Sequence, residues 1–187
     1  MILFHFFRIP ALSSFQTEGL LATARHMVAR AITGIETEFC FNIASTSPLT
    51  ADEMRLLRWL LTETFEPEKF SDKSFLTPHS APNTSHLLLE VGPRMSFTTA
   101  WSTNAVSVCH TCGLRKITRI ERSRRYLLTV EKKTTLSREQ QVAFLSLVHD
   151  RMTESPYPEP LATFETGVKP EPVRVIPLME QGRTALE

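Results

Sequence analysis

An α+β domain built from a repeated strand, helix, strand, helix unit is the fold class this sequence predicts, and three observations predict it. Apolar spacing along the chain switches between the period of a strand and the period of a helix, in the same order before and after a polar central loop. Two helix openings can be laid over each other, Leu49-Thr50-Ala51-Asp52-Glu53 against Leu136-Ser137-Arg138-Glu139-Gln140. Finally, 42% of the 187 residues are hydrophobic, enough to bury one sizeable core or two small ones. In a duplicated arrangement each half exposes an apolar sheet face that the other helps to cover, giving one compact domain.

The elements follow in order. Ile2 to Phe7 reads as a strand. From about Ser13 to Ile32, Leu20, Ala24, Met27 and Ala31 make one apolar stripe of a helix that Gly34 ends. Between Glu36 and Ala44, Phe39, Phe41 and Ile43 alternate with Glu38, Cys40 and Asn42, the period of a half-buried strand. The next stretch, "LTADEMRLLRWLL", opens with a capping box. There the Thr50 hydroxyl accepts from the Glu53 backbone N–H while the Glu53 carboxylate reaches back.

Glu66 to Ser85, rich in Pro, Ser, Asp and Asn, is a loop without periodicity. His86 to Val91 is then a strand, Thr103 to Cys112 a short helix, and Ile117 to Lys132 contains a long strand with Tyr126, Leu128 and Val130 on one side. "LSREQQVAFLSLV" opens a last helix with Ser137 and Gln140 in capping-box positions, and Leu145, Val148 and Met152 continue its apolar face. After Ser155, "PYPEPLATFETGVKPEPVRVIP" carries six prolines and reads as an extended linker. The expected division is therefore a domain over 1–155, a linker over 156–177, and the start of a further helical element over 178–187.

With 21 basic and 20 acidic residues, no global field argues for nucleic acid or membrane as a partner. The three cysteines, an odd count, suit a reducing compartment better than a disulfide framework. The apolar start "MILFHFFRIP" fails as a signal peptide. It lacks a basic leading region, is broken at His5, and meets Arg8-Ile9-Pro10 too soon. No apolar run reaches the roughly 20 residues of a membrane span. A cytoplasmic protein is expected.

Cys109-His110-Thr111-Cys112 is the most conspicuous motif. A C-x-x-C beside a histidine suits an activated dithiol or half of a zinc site. A structural zinc site needs four ligands, however, and Cys40 is the only other cysteine. Ala105, Cys109 and Cys112 fall instead on one stripe of a short helix that Gly113 stops, so packing is favoured over metal or redox chemistry. The six histidines show no metal-binding spacing, and no metal site is expected.

Arg115, Lys116, Arg119, Arg122, Arg124 and Arg125 form a dense basic run. Its expected role is a solvated strand face beside Glu121 and Glu131, with phosphate or nucleic-acid binding, or bidentate pairing to carboxylates of partner domains, as the alternatives. The segment from Gly92 to Asn104, "GPRMSFTTAWSTN", is the stronger functional candidate. Arg94, the hydroxyls of Ser96, Thr98, Thr99, Ser102 and Thr103, and the Asn104 amide suit phosphate or interdomain hydrogen bonds. Ser102 or Thr103 also suits a helix cap.

The blocks "LLLEVGPRMSFTTAWSTNAVSVCHTCGL", "ITRIERSRRYLLTVE" and "LVHDRMTE", with Leu3-Phe4-His5-Phe6, "GIETEFCFNI" and "GRTALE", closely resemble the N-terminal region of the large single-chain phosphoribosylformylglycinamidine synthases. The resemblance covers nearly the whole chain. It implies a fused pair of the small subunits used by multi-subunit versions, which fits the duplication above. It also implies a scaffold that bridges the synthetase and glutaminase domains and helps ammonia pass between them. The family makes formylglycinamidine ribonucleotide for purine synthesis, using ATP, magnesium and glutamine. Its ATP and magnesium residues and its glutaminase nucleophile lie in regions beyond this one, so no catalytic residue and no cofactor is assigned to this chain.

Two function classes follow. In the first, the chain is a noncatalytic module whose partners are the synthetase and glutaminase domains of the same enzyme. In the second, it is a free-standing binding or regulatory protein that uses the same fold.

Overall fold

The computed structural model describes residues 1–62, 64–77, 84–131, 134–167, 172 and 175–186. The first half runs β1 (Ile2–Arg8), α1 (Ser14–Met27), β2 (Ile32–Ser45), α2 (Ala51–Leu61) and, after a 3-10 turn, β3 (Phe70–Ser71). The second half repeats that order as β4 (Thr84–Pro93), α3 (Ala100–Thr111), β5 (Ile117–Glu131), α4 (Arg138–Val148) and β6 (Glu154–Tyr157). A single turn of helix, α5 (Leu178–Gln181), follows. The fold is α+β, with all strands in one antiparallel sheet ordered β3-β1-β2-β5-β4-β6. Each half thus places its last, short strand outside its first.

Helix starts follow local chemistry. Ser13, Thr50 and Ser137 each accept a hydrogen bond from the backbone three residues on, and Gln16, Glu53 and Gln140 each reach back. Such boxes satisfy two otherwise orphaned donors and contribute about 1 kcal/mol each. Thr99, rather than Ser102 or Thr103, caps α3. At the other end of α3, Gly113 takes a φ of 90°, the left-handed conformation that ends the helix.

Two expected boundaries move. Helix α1 stops at Met27 because the N–H groups of Val28 and Ala29 turn back onto the Ala24 carbonyl. Ile32, expected in the helix, opens β2 opposite Val130 and is fully buried there. Met27 and Met152, both expected on apolar stripes, are exposed. Helix α4 ends at Val148, so Met152 lies beyond its face.

All four long helices cover one sheet face, in two pairs. Leu57 of α2 and Cys109 of α3 pack with Phe6, Phe41, Ile43 and Ile120. Ala24 of α1 and Phe144 of α4 pack with Ile35, Val91, Tyr126 and Leu128. Each buried side chain of this size stabilises the fold by roughly 1.5–3 kcal/mol. The opposite face of β2 was expected to be solvated, yet Glu38, Cys40 and Asn42 are buried as fully as their apolar neighbours. Ser74, Phe75 and Leu76 bond to Glu38, and Pro160 and Leu161 stand beside Cys40 and Asn42.

Candidate functional site

The predicted segment 92–104 divides into two sets. Arg94, Ser96, Thr98, Thr103 and Asn104 are exposed, whereas Ser102 is buried and Thr99 half-buried. Thr99 donates from its hydroxyl (2.7 Å) and its backbone N–H (3.1 Å) to the Glu121 carboxylate. The Ser102 hydroxyl accepts from the Ile120 N–H at 3.3 Å. These two residues fasten the N-terminus of α3 to β5. Arg94 donates to the carbonyls of Arg151 and Glu154, tying the loop to the entrance of β6. The Thr103 hydroxyl donates to the Thr99 carbonyl at 3.2 Å, and the side chains of Ser96, Thr98 and Asn104 are exposed.

The basic run is a solvated face only in part: Arg115 and Arg122 are exposed, whereas Arg119, Arg124 and Arg125 are half-buried and paired with carboxylates. Arg119 lies 3.1 Å from Glu121, and the Arg124 Nη2 donates to both Glu154 carboxylate oxygens, at 2.6 and 2.8 Å. Arg125 donates to the fully buried Glu38 at 2.5 Å and stands 3.4 Å from Glu90. Strand pairing explains this: Glu38 lies opposite Arg125 on β2, and Glu90 opposite it on β4. Carboxylates and guanidinium therefore meet across three neighbouring strands, where pairing offsets the cost of removing them from water.

Glu38 accepts further hydrogen bonds from Ser74 (2.7 Å) and from the N–H groups of Phe75 (2.8 Å) and Leu76 (3.2 Å). Glu90 accepts from Ser123 at 2.5 Å, and burial holds its carboxyl above the usual range. Beside this network is a cavity of about 150 Å³ lined by His5, Phe7, Cys40, Asn42, Ser74, Glu90 and Arg125, roofed by Pro160 and Leu161. Burial pushes the Cys40 thiol up and the His5 imidazole down. Both are therefore neutral near pH 7. Sequence reading missed this cluster. Its signal was the alternation Glu36, Glu38 on one strand against Glu121, Ser123, Arg125 on another.

The segment that roofs the cavity belongs to the stretch expected as a linker. Tyr157 pairs with Glu90 in β6 and donates from its hydroxyl to the Pro93 carbonyl at 2.6 Å. Farther on, Phe164 is buried with the Arg119 guanidinium 4.5 Å from its ring centre. The boundary drawn at Ser155 therefore falls inside a strand.

Cys109 is buried and its thiol is pushed up to about 11 by desolvation, while Cys112 is exposed. Cys112 thus leaves the stripe on which it was expected, because the helix gives way to the turn at Gly113. Among the described residues no group of three or more His, Cys, Asp or Glu side chains could hold a metal ion. No described helix is long and apolar enough to cross a membrane.

The site is thus an α+β scaffold with an internally paired charge network and an exposed polar loop. A family model described as "Formylglycinamide ribonucleotide amidotransferase N-terminal" matches residues 38–163, and the chain belongs to that family. It is 46% identical over 183 residues to "Probable phosphoribosylformylglycinamidine synthase, chloroplastic/mitochondrial" of Arabidopsis thaliana, covering 98% of this chain and 13% of that protein. Against "Phosphoribosylformylglycinamidine synthase" of Dictyostelium discoideum the identity is 46% over 190 residues, covering 100% of this chain and 14% of the relative. The human protein of that name is 40% identical over 157 residues, covering 82% of this chain and 11% of the relative. The chain therefore spans only 11–14% of the length of these relatives.

Proposed function

We propose that this chain serves as the N-terminal scaffold of a phosphoribosylformylglycinamidine synthase, bridging synthetase and glutaminase domains. In that enzyme ATP and glutamine drive conversion of formylglycinamide ribonucleotide to formylglycinamidine ribonucleotide, with magnesium and ATP held outside this region. The family match over residues 38–163 carries the reading. The structure supports a scaffold in two ways. Its buried carboxylates are committed to arginines and backbone donors, and the exposed hydroxyls of Ser96 and Thr98 with the Asn104 amide offer hydrogen bonds to a neighbour. The identical element order of the two halves supports a duplicated unit. The proposed location is the cytoplasm.

A complementation assay tests the reading. The purified chain is added to a synthase lacking the corresponding residues, and glutamine-dependent ADP formation is followed with formylglycinamide ribonucleotide present. Restored turnover is the expected result. Turnover by the chain alone would overturn the scaffold reading, and absence of both binding and restoration would remove the separable module.

A further inference from the structure

Strand β5 carries Arg119, Arg122, Arg124 and Arg125, and three of these have carboxylate partners within the chain. Arg122 has none among the described residues. It points to the helix-covered face, in the furrow between the α1/α4 pair and the α2/α3 pair, as the two-residue period from Ile120 through Arg122 to Tyr126 requires. Its guanidinium lies 4.3 Å from the Phe39 ring centre and 5.3 Å from that of Trp101. Two aromatic rings thus hold a cation on a side chain that stays exposed. Burial together with the positive charges of Arg8 and Arg124 lowers its pKa. The side chain nevertheless remains cationic at any physiological pH.

We propose that this furrow is a docking site for an acidic side chain of a protein segment, with Arg122 as the pairing residue and Phe39 and Trp101 as its apolar walls. The inference rests on the scaffold reading, and places the segment in the synthetase or glutaminase portion. A stacked guanidinium presents its N–H fork edge-on, the geometry that pairs bidentately with a planar carboxylate. A polyanion such as RNA would require a stripe of unpaired cations. Here Arg119, Arg124 and Arg125 of β5 are already engaged, which leaves Arg122, between two rings, as the β5 guanidinium without a carboxylate partner among the described residues. Trp101 also belongs to the first turn of α3, directly after the polar loop in sequence.

Two measurements test the proposal. Arginine modification by phenylglyoxal, read by mass spectrometry, should label Arg122 readily in the isolated chain and several-fold more slowly in the whole synthase that carries it. Equal labelling in both would overturn the docking site. In the second, Arg122→Gln should weaken binding of the chain to a synthase lacking these residues by about tenfold and flatten its salt dependence, while circular dichroism shows the variant still folded. Unchanged affinity would overturn the proposal. If the unmodified chain itself fails to bind, the separable module fails, and the labelling experiment still decides Arg122. Binding of a single-stranded RNA oligonucleotide that is lost in Arg122→Gln would assign the furrow to a polyanion and refute the protein partner.

Discussion

The hydroxyl of Tyr157 occupies the space that a side chain at Gly92 would need. A Cβ built on Gly92 stands 2.6 Å from that oxygen and 2.8 Å from the Ser123 Cβ, both closer than packed atoms approach. Gly92→Ala should displace β6, with a cost of about 1–3 kcal/mol from overpacking. Urea denaturation of the variant beside Gly34→Ala checks this. Gly34 has only ordinary contacts at 3.5 Å, so its substitution should cost less.

Arg125 links two buried carboxylates. Arg125→Ala leaves Glu38 without its cation at a fully buried position and should destabilise the chain by about 3–5 kcal/mol. A surface control, Arg55→Ala, removes an exposed pair with Asp52 and should change stability by less than about 1 kcal/mol. Chemical denaturation of both variants under identical conditions gives the comparison.

Glu90 and His5 give stability opposite dependences on pH. The Glu90 carboxyl is held above its ordinary 4.5, so its contribution is complete below that value and is lost as pH rises through the folded-state pKa. The His5 imidazole is held below 6.5, so its contribution is present above 6.5 and is lost as pH falls through its folded-state pKa. Glu90→Gln should remove the loss on the alkaline side, and His5→Asn the loss on the acid side. Melting temperatures between pH 4 and 9 should show each change separately.

The cysteines should react unequally. In the native chain, Cys112 is expected to alkylate first, with Cys40 and Cys109 protected by burial and by thiols held protonated. Peptide mapping after brief treatment with iodoacetamide at pH 8 measures the order. Rapid labelling of Cys109 would contradict its packed position.

The outward loop separates function from stability. Thr98→Ala and Asn104→Ala alter exposed side chains and should change unfolding free energy by less than about 0.5 kcal/mol. Both should reduce turnover in the complementation assay. Ser102→Ala should instead destabilise the chain, because Ser102 is buried and bonds to the backbone of β5.

Much of the architecture was legible because helix openings are local. Thr50 with Glu53 and Ser137 with Gln140 announce α2 and α4 within a few residues, and Ser13 with Gln16 carries the same signal for α1. The long strands were legible from Phe39, Phe41 and Ile43, and from Tyr126, Leu128 and Val130. What period-two reading could not show was the cover on the reverse face. Proline-rich composition identifies an extended segment, but not the contact between Phe164 and Arg119 that holds it down. Arg125 likewise reads as a surface charge until β2 and β4 bring Glu38 and Glu90 beside it. The candidate loop was found from its polar content, whereas the inward roles of Thr99 and Ser102 depend on the placement of Glu121 and Ile120.

The central pairing of β2 with β5 also sets an order of assembly. Asn42 and Ser123, hydrogen-bonded at 3.0 Å, are 81 residues apart in sequence. While the chain is being synthesised, the first half can form its helices and pair β1 with β2, yet the inner edge of β2 stays bare until β5 emerges. Loop closure must precede the contacts that reward it, so this junction favours slow, concerted completion. An isolated first half would carry a long strand edge ready to pair with another chain, and the partner that prevents this is the second half of the same molecule.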